Sequence, residues 1–350
     1  MKTITFGDVP IGDGHPPYII AEIGSNHNGD MELCRQMIAA AAEAGAHAVK
    51  FQSWSESSLI AAEEYDRNTQ YSDKKKHFGS LRDMVRAYQL TPEQHVLAKQ
   101  YCEESGVAFC SSAFSSEEAD LLDSLDVPFY KIASMDVVNL PLLAYVASKQ
   151  RPVVIATGMA TLGEIERAVQ TVREAGNEQL ALLHCVSIYP PEYDGIRLLN
   201  MGMLRRAFGV PVGFSDHTLG TSVPLAAIAL GASIIEKHFT LDKEMAGWDH
   251  DISADSDELR TIAVEGRHVF ESLGGAERIV TEAELEKRLK FRRSLVARCV
   301  LSRGHVLTEQ DLTAKRPGTG IAPDELQYVV GRALASDVAE DAVLRWEDLR

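Results

Sequence analysis

Eight short runs of apolar and β-branched residues, each followed by a stretch with helical amphipathic spacing, limit this chain to very few folds. The runs are Tyr18 to Gly24, Ala46 to Gln52, Val107 to Ser111, Phe129 to Ser134, Pro152 to Thr157, Leu180 to Val186, Pro211 to Ser215 and Ala232 to His238. Strands that alternate with helices form a parallel sheet, since each helix returns the chain to start the next strand in the same direction. Eight such units over roughly 250 residues predict a closed (β/α)8 barrel. The rival is an open doubly wound sheet, which usually has fewer strands and often a glycine-rich fingerprint after the first. Here the first run leads into Gly24-Ser25-Asn26-His27-Asn28-Gly29, which lacks the G-x-G-x-x-G spacing.

The 350 residues exceed what one barrel needs. The periodic pattern breaks at Gly274 and Gly275, so residues 1–275 are read as the barrel, 276–291 as a charged linker and 292–350 as a second domain. A domain of about 60 residues buries only ~60% of its surface and is expected to dock on something. The polar segment from Ser55 to Leu90 interrupts the alternation after the second run and is read as a lid over the strand-to-helix face. A formal net charge of −16 excludes a nucleic-acid surface, and the one basic run, Lys74 to Lys76, is read as a solvated loop. No apolar run approaches the ~20 residues of a membrane span. Met1 to Gly14 carries no targeting pattern, and five cysteines occur without a CxxC pair, so a reducing cytoplasmic setting is expected.

Nearly every run that should be buried ends in polar residues: Glu22; Lys50 and Gln52; Ser111 and Ser112; Lys131 and Ser134; Thr157; Ser187 and Tyr189; Ser215, Asp216 and His217; Glu236, Lys237 and His238. In a barrel these ends meet at one mouth, where active sites of this architecture lie. A single lysine in a strand is more often solvated or salt-bridged. Two in apolar strands favour an anionic ligand, because unpaired buried ammonium groups are costly. His217 and His238 end consecutive runs, and strand ends lie only ~5 Å apart, so the two imidazoles can share a divalent ion. Residue type alone suits Mn²⁺, Mg²⁺, Co²⁺ or Zn²⁺ equally. Glu22 is either a partner for Lys50 or an acid/base group, and His27 is read as a turn or cap residue.

These motifs resemble the sialic acid synthase family, which includes the N-acetylneuraminate, legionaminate and pseudaminate synthases. The matching segments run from Ile20–Gly29 and Val49–Gln52 through Tyr130–Ser134, Ala156–Met159, His184–Pro190 and Gly213–Thr218 to Glu236–Thr240 and Lys315–Gly320. The resemblance implies a TIM barrel followed by an antifreeze-like (SAF, β-clip) domain, exchanged within a homodimer. It implies that Lys50, Ser112, Lys131, Ser134 and Ser215 hold phosphoenolpyruvate. His217 and His238 would bind the metal, with Mn²⁺ ahead of Mg²⁺ or Co²⁺. Glu22, Gln52, Tyr189 and Asp249 would face an amino-sugar, and Arg316 would reach it from the other subunit. Three positions depart from the family's usual residues: Ala156, Ser187 and Trp248, the last expected to reshape the sugar pocket. Two other readings compete: an aldolase using Lys131 as a Schiff base, and a non-catalytic sugar- or ice-binding protein built on the C-terminal domain.

Overall fold

The computed structural model describes residues 3–72 and 77–350, so the Lys74–Lys76 run lies outside the described residues. The chain divides into two compact units, Met1–Gly274 and Gly275–Arg350.

The first unit is a closed barrel of eight parallel strands in sequential order. They are β1 (Tyr18–Gly24), β2 (Ala48–Ser53), β3 (Ala108–Ala113), β4 (Tyr130–Ile132), β5 (Val153–Ala156), β6 (Leu180–Cys185), β7 (Val212–Asp216) and β8 (Ile234–His238). Eight helices follow in turn: α1 (Met31–Glu43), α2 (Pro92–Glu104), α3 (Ser116–Ser124), α4 (Leu140–Ser148), α5 (Leu162–Glu174), α6 (Asn200–Phe208), α7 (Ser222–Ala229) and α8 (Ser256–Leu273). The expected TIM-type barrel is thus present, with β4 shorter than its sequence run because Ser134–Asp136 turns as a 3-10 helix. The barrel closes where β8 pairs with β1, Ile234 opposite Tyr18 and His238 opposite Glu22. Asn26 reinforces that seam, donating to the Phe239 carbonyl at 3.0 Å and to Ser253 Oγ at 2.9 Å.

Two-residue alternation sorts the side chains. In β1, Ile19, Ala21 and Ile23 point outward into the large core under the helices, whereas Tyr18 and Ile20 point into the barrel. The inner core continues with Ala48, Cys110, Phe129, Val154, Ala181, Leu183 and Ile234. A hairpin of Ile4–Phe6 and Val9–Ile11 joins this inner core, with Phe6 stacked on Phe129 at a ring separation of 4.1 Å. Apolar side chains therefore fill the N-terminal half of the barrel. The next inward position on several strands is polar: Glu22 above Ile20, Lys50 above Ala48, Lys131 above Phe129 and Glu236 above Ile234.

The segment after β2 is packed rather than loose. Its short helices Glu56–Leu59, Ala62–Arg67 and Leu81–Tyr88 bury Tyr65, Leu81, Met84, Val85 and Tyr88 in a cluster of their own. Ser58 ties this segment to α3 by donating to Glu118.

In the second unit the residues read as a linker contain a helix, Glu282–Phe291, begun by a Thr281 cap that accepts from the Glu284 amide. Antiparallel strands Ser294–Ala297 and Leu312–Lys315 follow, around a core that includes Leu295, Leu307, Leu334 and Leu344. Among the described residues no helix is long and apolar enough to cross a membrane.

Candidate active site

Every barrel residue expected at the site lines a single cavity of about 810 Å³ at the C-terminal ends of the strands. The strands deliver them by parity: inward Glu22 leaves β1, Lys50 and Gln52 leave β2, Ser112 leaves β3, Lys131 leaves β4, and Glu236 and His238 leave β8. Ser215 faces in from β7, and His217 follows two residues later. Lys237 and Asp216 have the opposite parity and form a buried ion pair with each other at 2.7 Å, away from the cavity.

Four charged groups form the floor. Lys50 Nζ lies 2.7 Å from Glu22 Oε2, 3.9 Å from Glu236 Oε2 and donates to Ser112 Oγ at 3.3 Å. Lys131 Nζ lies 3.4 Å from Glu236 Oε1, which also accepts from Ser215 Oγ at 2.9 Å. The lysines are therefore not bare cations waiting for an anion, which corrects the expectation from sequence. Register sets Glu22 beside Lys50, and the closing strand sets Glu236 near both ammonium groups. Glu236 is the site residue that the sequence reading left without a role. The pattern Ile234-Ile235-Glu236-Lys237-His238 gave a signal, because Glu236 shares the inward parity of Ile234 and His238.

The two carboxyls differ. Burial raises the Glu22 pKa, and the Lys50 charge only partly offsets it. Burial also acts on Glu236, but Lys131 and Lys50 outweigh it and hold that group below the usual carboxylate range. For Lys50, burial opposes the charge, yet Glu22 and Glu236 raise its pKa. Gln52 Nε2 donates to Glu22 Oε1 at 2.7 Å, fixing the carboxylate plane.

Beside the floor stand His217 and His238, ring centroids 5.4 Å apart, with Tyr189 stacked on His217 at 4.0 Å. His217 Nδ1 donates to the Val186 carbonyl oxygen at 2.9 Å; burial opposes its charge, but Cys185 and the Val186 carbonyl raise its pKa. His238 Nδ1 lies 3.6 Å from Asp249 Oδ2, beyond hydrogen-bond distance, and makes no hydrogen bond. Burial and the His217, Lys50, Lys237 and Lys131 charges keep His238 neutral far below its usual range. Burial pushes the Asp249 carboxyl up to about 7, with Glu22 adding to the effect. Of the two, His217 has its Nδ1 held by an acceptor, the usual outer support of a metal-ligating histidine. Among the described residues no group of three or more His, Cys, Asp and Glu clusters in ligating geometry. An ion at this pair would have two imidazoles as its protein ligands.

Ser134 Oγ accepts from the Gly158 amide at 3.0 Å. A side chain at Gly158 would come within 2.2 Å of Ser187 Oγ and 2.8 Å of Ser134 Oγ, so glycine keeps those hydroxyls in place. Arg316 belongs to the second unit, exposed, with its guanidinium 5.0 Å from the Phe291 ring centroid.

The NeuB family profile matches residues 37–278, and the SAF domain profile matches residues 292–350. The chain is 38% identical to the N,N'-diacetyllegionaminic acid synthase of Legionella pneumophila over 98% of this chain and 97% of that one. It is 34% identical to the pseudaminic acid synthase of Helicobacter pylori, covering 95% and 98% of the two chains. The solved N-acetylneuraminic acid synthetase of Leptospira borgpetersenii superposes with a TM-score of 0.74 at 32% identity, over 82% of this chain and 95% of that one. With the barrel, the paired lysines in its cavity and a SAF domain following it in the sequence, this chain belongs to the NeuB family.

Proposed function

We propose that the protein condenses phosphoenolpyruvate with the open-chain aldehyde of an N-acylated hexosamine, giving a nine-carbon 2-keto-3-deoxy acid and inorganic phosphate. One observation carries this reading: Lys50 and Lys131 stand with Ser112, Ser134 and Ser215 around one cavity beside the histidine pair. Its similarity to the diacetyllegionaminic acid synthase of Legionella and the pseudaminic acid synthase of Helicobacter supports it.

In this reading the ammonium groups of Lys50 and Lys131 bind the phosphate and carboxylate, exchanging their contacts with Glu22 and Glu236 for substrate oxygens. The serine hydroxyls orient the phosphoenolpyruvate so that its methylene carbon faces the sugar aldehyde. His217 and His238 would hold a divalent ion, manganese ahead of magnesium or cobalt, which would supply Lewis-acid polarisation of that aldehyde. The methylene carbon bonds to the aldehyde carbon, and water adds to the cationic enol-ether carbon left behind. Glu22, ionised beside Lys50, accepts the water's proton, and its burial favours the protonated carboxyl that results. The tetrahedral centre then expels phosphate by C–O cleavage, and Lys50 and Lys131 stabilise the departing charge. Gln52, Tyr189 and Asp249 face the sugar.

The mouth itself is apolar and open. Met135, Val138, Met159, Ile188 and Leu199, all on strand-to-helix connections, are 54–76% exposed. Such a rim suits a covering partner, and in this proposal the C-terminal unit of a second copy provides it, bringing Arg316 to the sugar.

The test is phosphate release from phosphoenolpyruvate with and without N-acylated hexosamines. Release that requires sugar, is lost on chelation and falls at least 100-fold in His217→Ala and His238→Ala is expected. Sugar-independent release, or a borohydride-trapped adduct of pyruvate on Lys131, overturns the proposal.

A further inference from the structure

We infer that Lys237 and Asp216 are positioning residues, a buried clamp outside the barrel wall that fixes the spacing of His217 and His238 and so sets how tightly the pair takes a divalent ion. The inference rests on the synthase reading above and concerns its histidine pair. Lys237 and Asp216 form the last pair of the β7–β8 ladder. Their parity is outward, so neither lines the cavity. Three hydrogen bonds close a ring between them. Lys237 Nζ donates to Asp216 Oδ2 at 2.7 Å and to the Thr218 carbonyl oxygen at 2.5 Å, and the Thr218 amide donates to Asp216 Oδ1 at 2.9 Å. Asp216 and Thr218 flank His217, and Lys237 precedes His238. One ammonium group therefore holds the chain on both sides of the first histidine from the residue next to the second.

The clamp sits where the sheet stops fixing the chain. Strand β7 ends at Asp216, so His217 lies one residue beyond the ladder, whereas His238 is still held by its pairing with Glu22. The Val186 carbonyl orients the His217 ring, and the Lys237 ring of bonds anchors its backbone. Stability alone is a poor reason for the ion pair. Both residues are 1% exposed, and two charges taken that far out of water lose about as much solvation as they gain in attraction, so well-packed apolar residues usually serve such a place equally well. What an apolar pair cannot supply is direction. The ammonium group donates along two lines, to a carboxylate and to a carbonyl, and these hold the turn through His217 in one arrangement. Outer groups around metal-ligating histidines typically change metal affinity by roughly 10- to 100-fold.

The experiment titrates Mn²⁺ into the metal-free, full-length protein, following free Mn²⁺ by electron paramagnetic resonance, with the visible spectrum of added Co²⁺ as a second readout. Lys237→Met alone strands the Asp216 carboxylate in the interior, so the deciding variant pairs it with Asp216→Asn and removes both charges together. This double variant is expected to fold, to bind Mn²⁺ about 10-fold or more weakly and to shift the Co²⁺ bands, while phosphoenolpyruvate binding to the metal-free protein stays within about 3-fold. Thr218→Val is the control: the Thr218 hydroxyl is buried without a hydrogen bond, and the carbonyl that Lys237 holds is kept, so Mn²⁺ affinity should stay parental. Parental Mn²⁺ affinity and Co²⁺ spectrum in the double variant overturn the inference and leave the synthase reading standing. So does an equal loss in Thr218→Val, or a double variant that fails to fold or loses ion and phosphoenolpyruvate affinity together, since each assigns the pair to general stability. A parent protein that binds neither Mn²⁺ nor Co²⁺ overturns the metal role in the synthase reading and this inference with it.

Discussion

Replacing the Glu236 carboxylate by an amide leaves Lys50 paired with Glu22 and takes from Lys131 its carboxylate partner at the bottom of a buried pocket. Removing one partner from a buried ionic cluster costs about 3 kcal/mol or more. Glu236→Gln is therefore expected to lower the urea midpoint, and millimolar phosphate should raise it further in the variant than in the parent. An unchanged midpoint would mean that Glu236 contributes nothing to holding the two ammonium groups. His27 gives a prediction in pH. Burial, with His95 nearby, lowers its pKa to about 4, against 6.5 when unfolded. The folded protein thus binds this proton less readily than the unfolded chain. Its contribution is fully present above pH 6.5 and is lost as pH falls toward 4, by about 3 kcal/mol in all. Asparagine can keep the acceptor that His27 Nδ1 offers to the Gly29 amide. His27→Asn should accordingly flatten the fall in unfolding free energy between pH 7 and 4.5. A slope equal to the parent's would assign the acid sensitivity to His47, His95 and His184, whose pKa values burial also lowers.

At the scale of strands, Gly213 sets how closely β6, β7 and β8 pack. A Cβ there would lie 2.4 Å from the Ile234 carbonyl oxygen and 2.7 Å from Leu183 Cδ2, both on neighbouring strands. Gly213→Ala is expected to cost about 1–3 kcal/mol by overpacking, seen as a lowered Tm; an unchanged Tm would show that β7 can shift freely. The eight strands were legible because each is a short apolar run, and their polar ends were legible because alternation carries the inward stripe from Ile20 to Glu22 and from Ala48 to Lys50. Across-barrel partners were not. That Glu236 reaches both Lys50 and Lys131 depends on closure of the sheet, and no local spacing encodes it. The insertion after β2 was read only as polar and lid-like, although Leu81, Met84, Val85 and Tyr88 recur at helical spacing and announce an apolar face. Trp54, Leu81, Met84 and Val85 line the cavity and were overlooked for that reason.

For the whole molecule, the proposed exchange of C-terminal units makes a prediction that two inactive proteins can test. Arg316→Ala and Lys131→Ala, mixed and refolded together, should recover up to about a quarter of parental turnover, since random pairing gives half heterodimers and each of those holds one intact site. Demonstrated heterodimers without recovered turnover would place Arg316 at the site of its own chain or away from catalysis. The SAF region was legible as a separate small unit from the break at Gly274 and Gly275, while the helix Glu282–Phe291 was hidden in a segment read as a charged linker. The seam where His238 pairs with Glu22 has a consequence during synthesis. The first strand emerges from the ribosome with one edge that stays open until some two hundred further residues have been translated, on the order of 10–40 s at typical elongation rates. Until then its neighbour-seeking backbone is exposed to other nascent chains. Slowing translation just before β8 should therefore lower soluble yield more than the same pause placed after it.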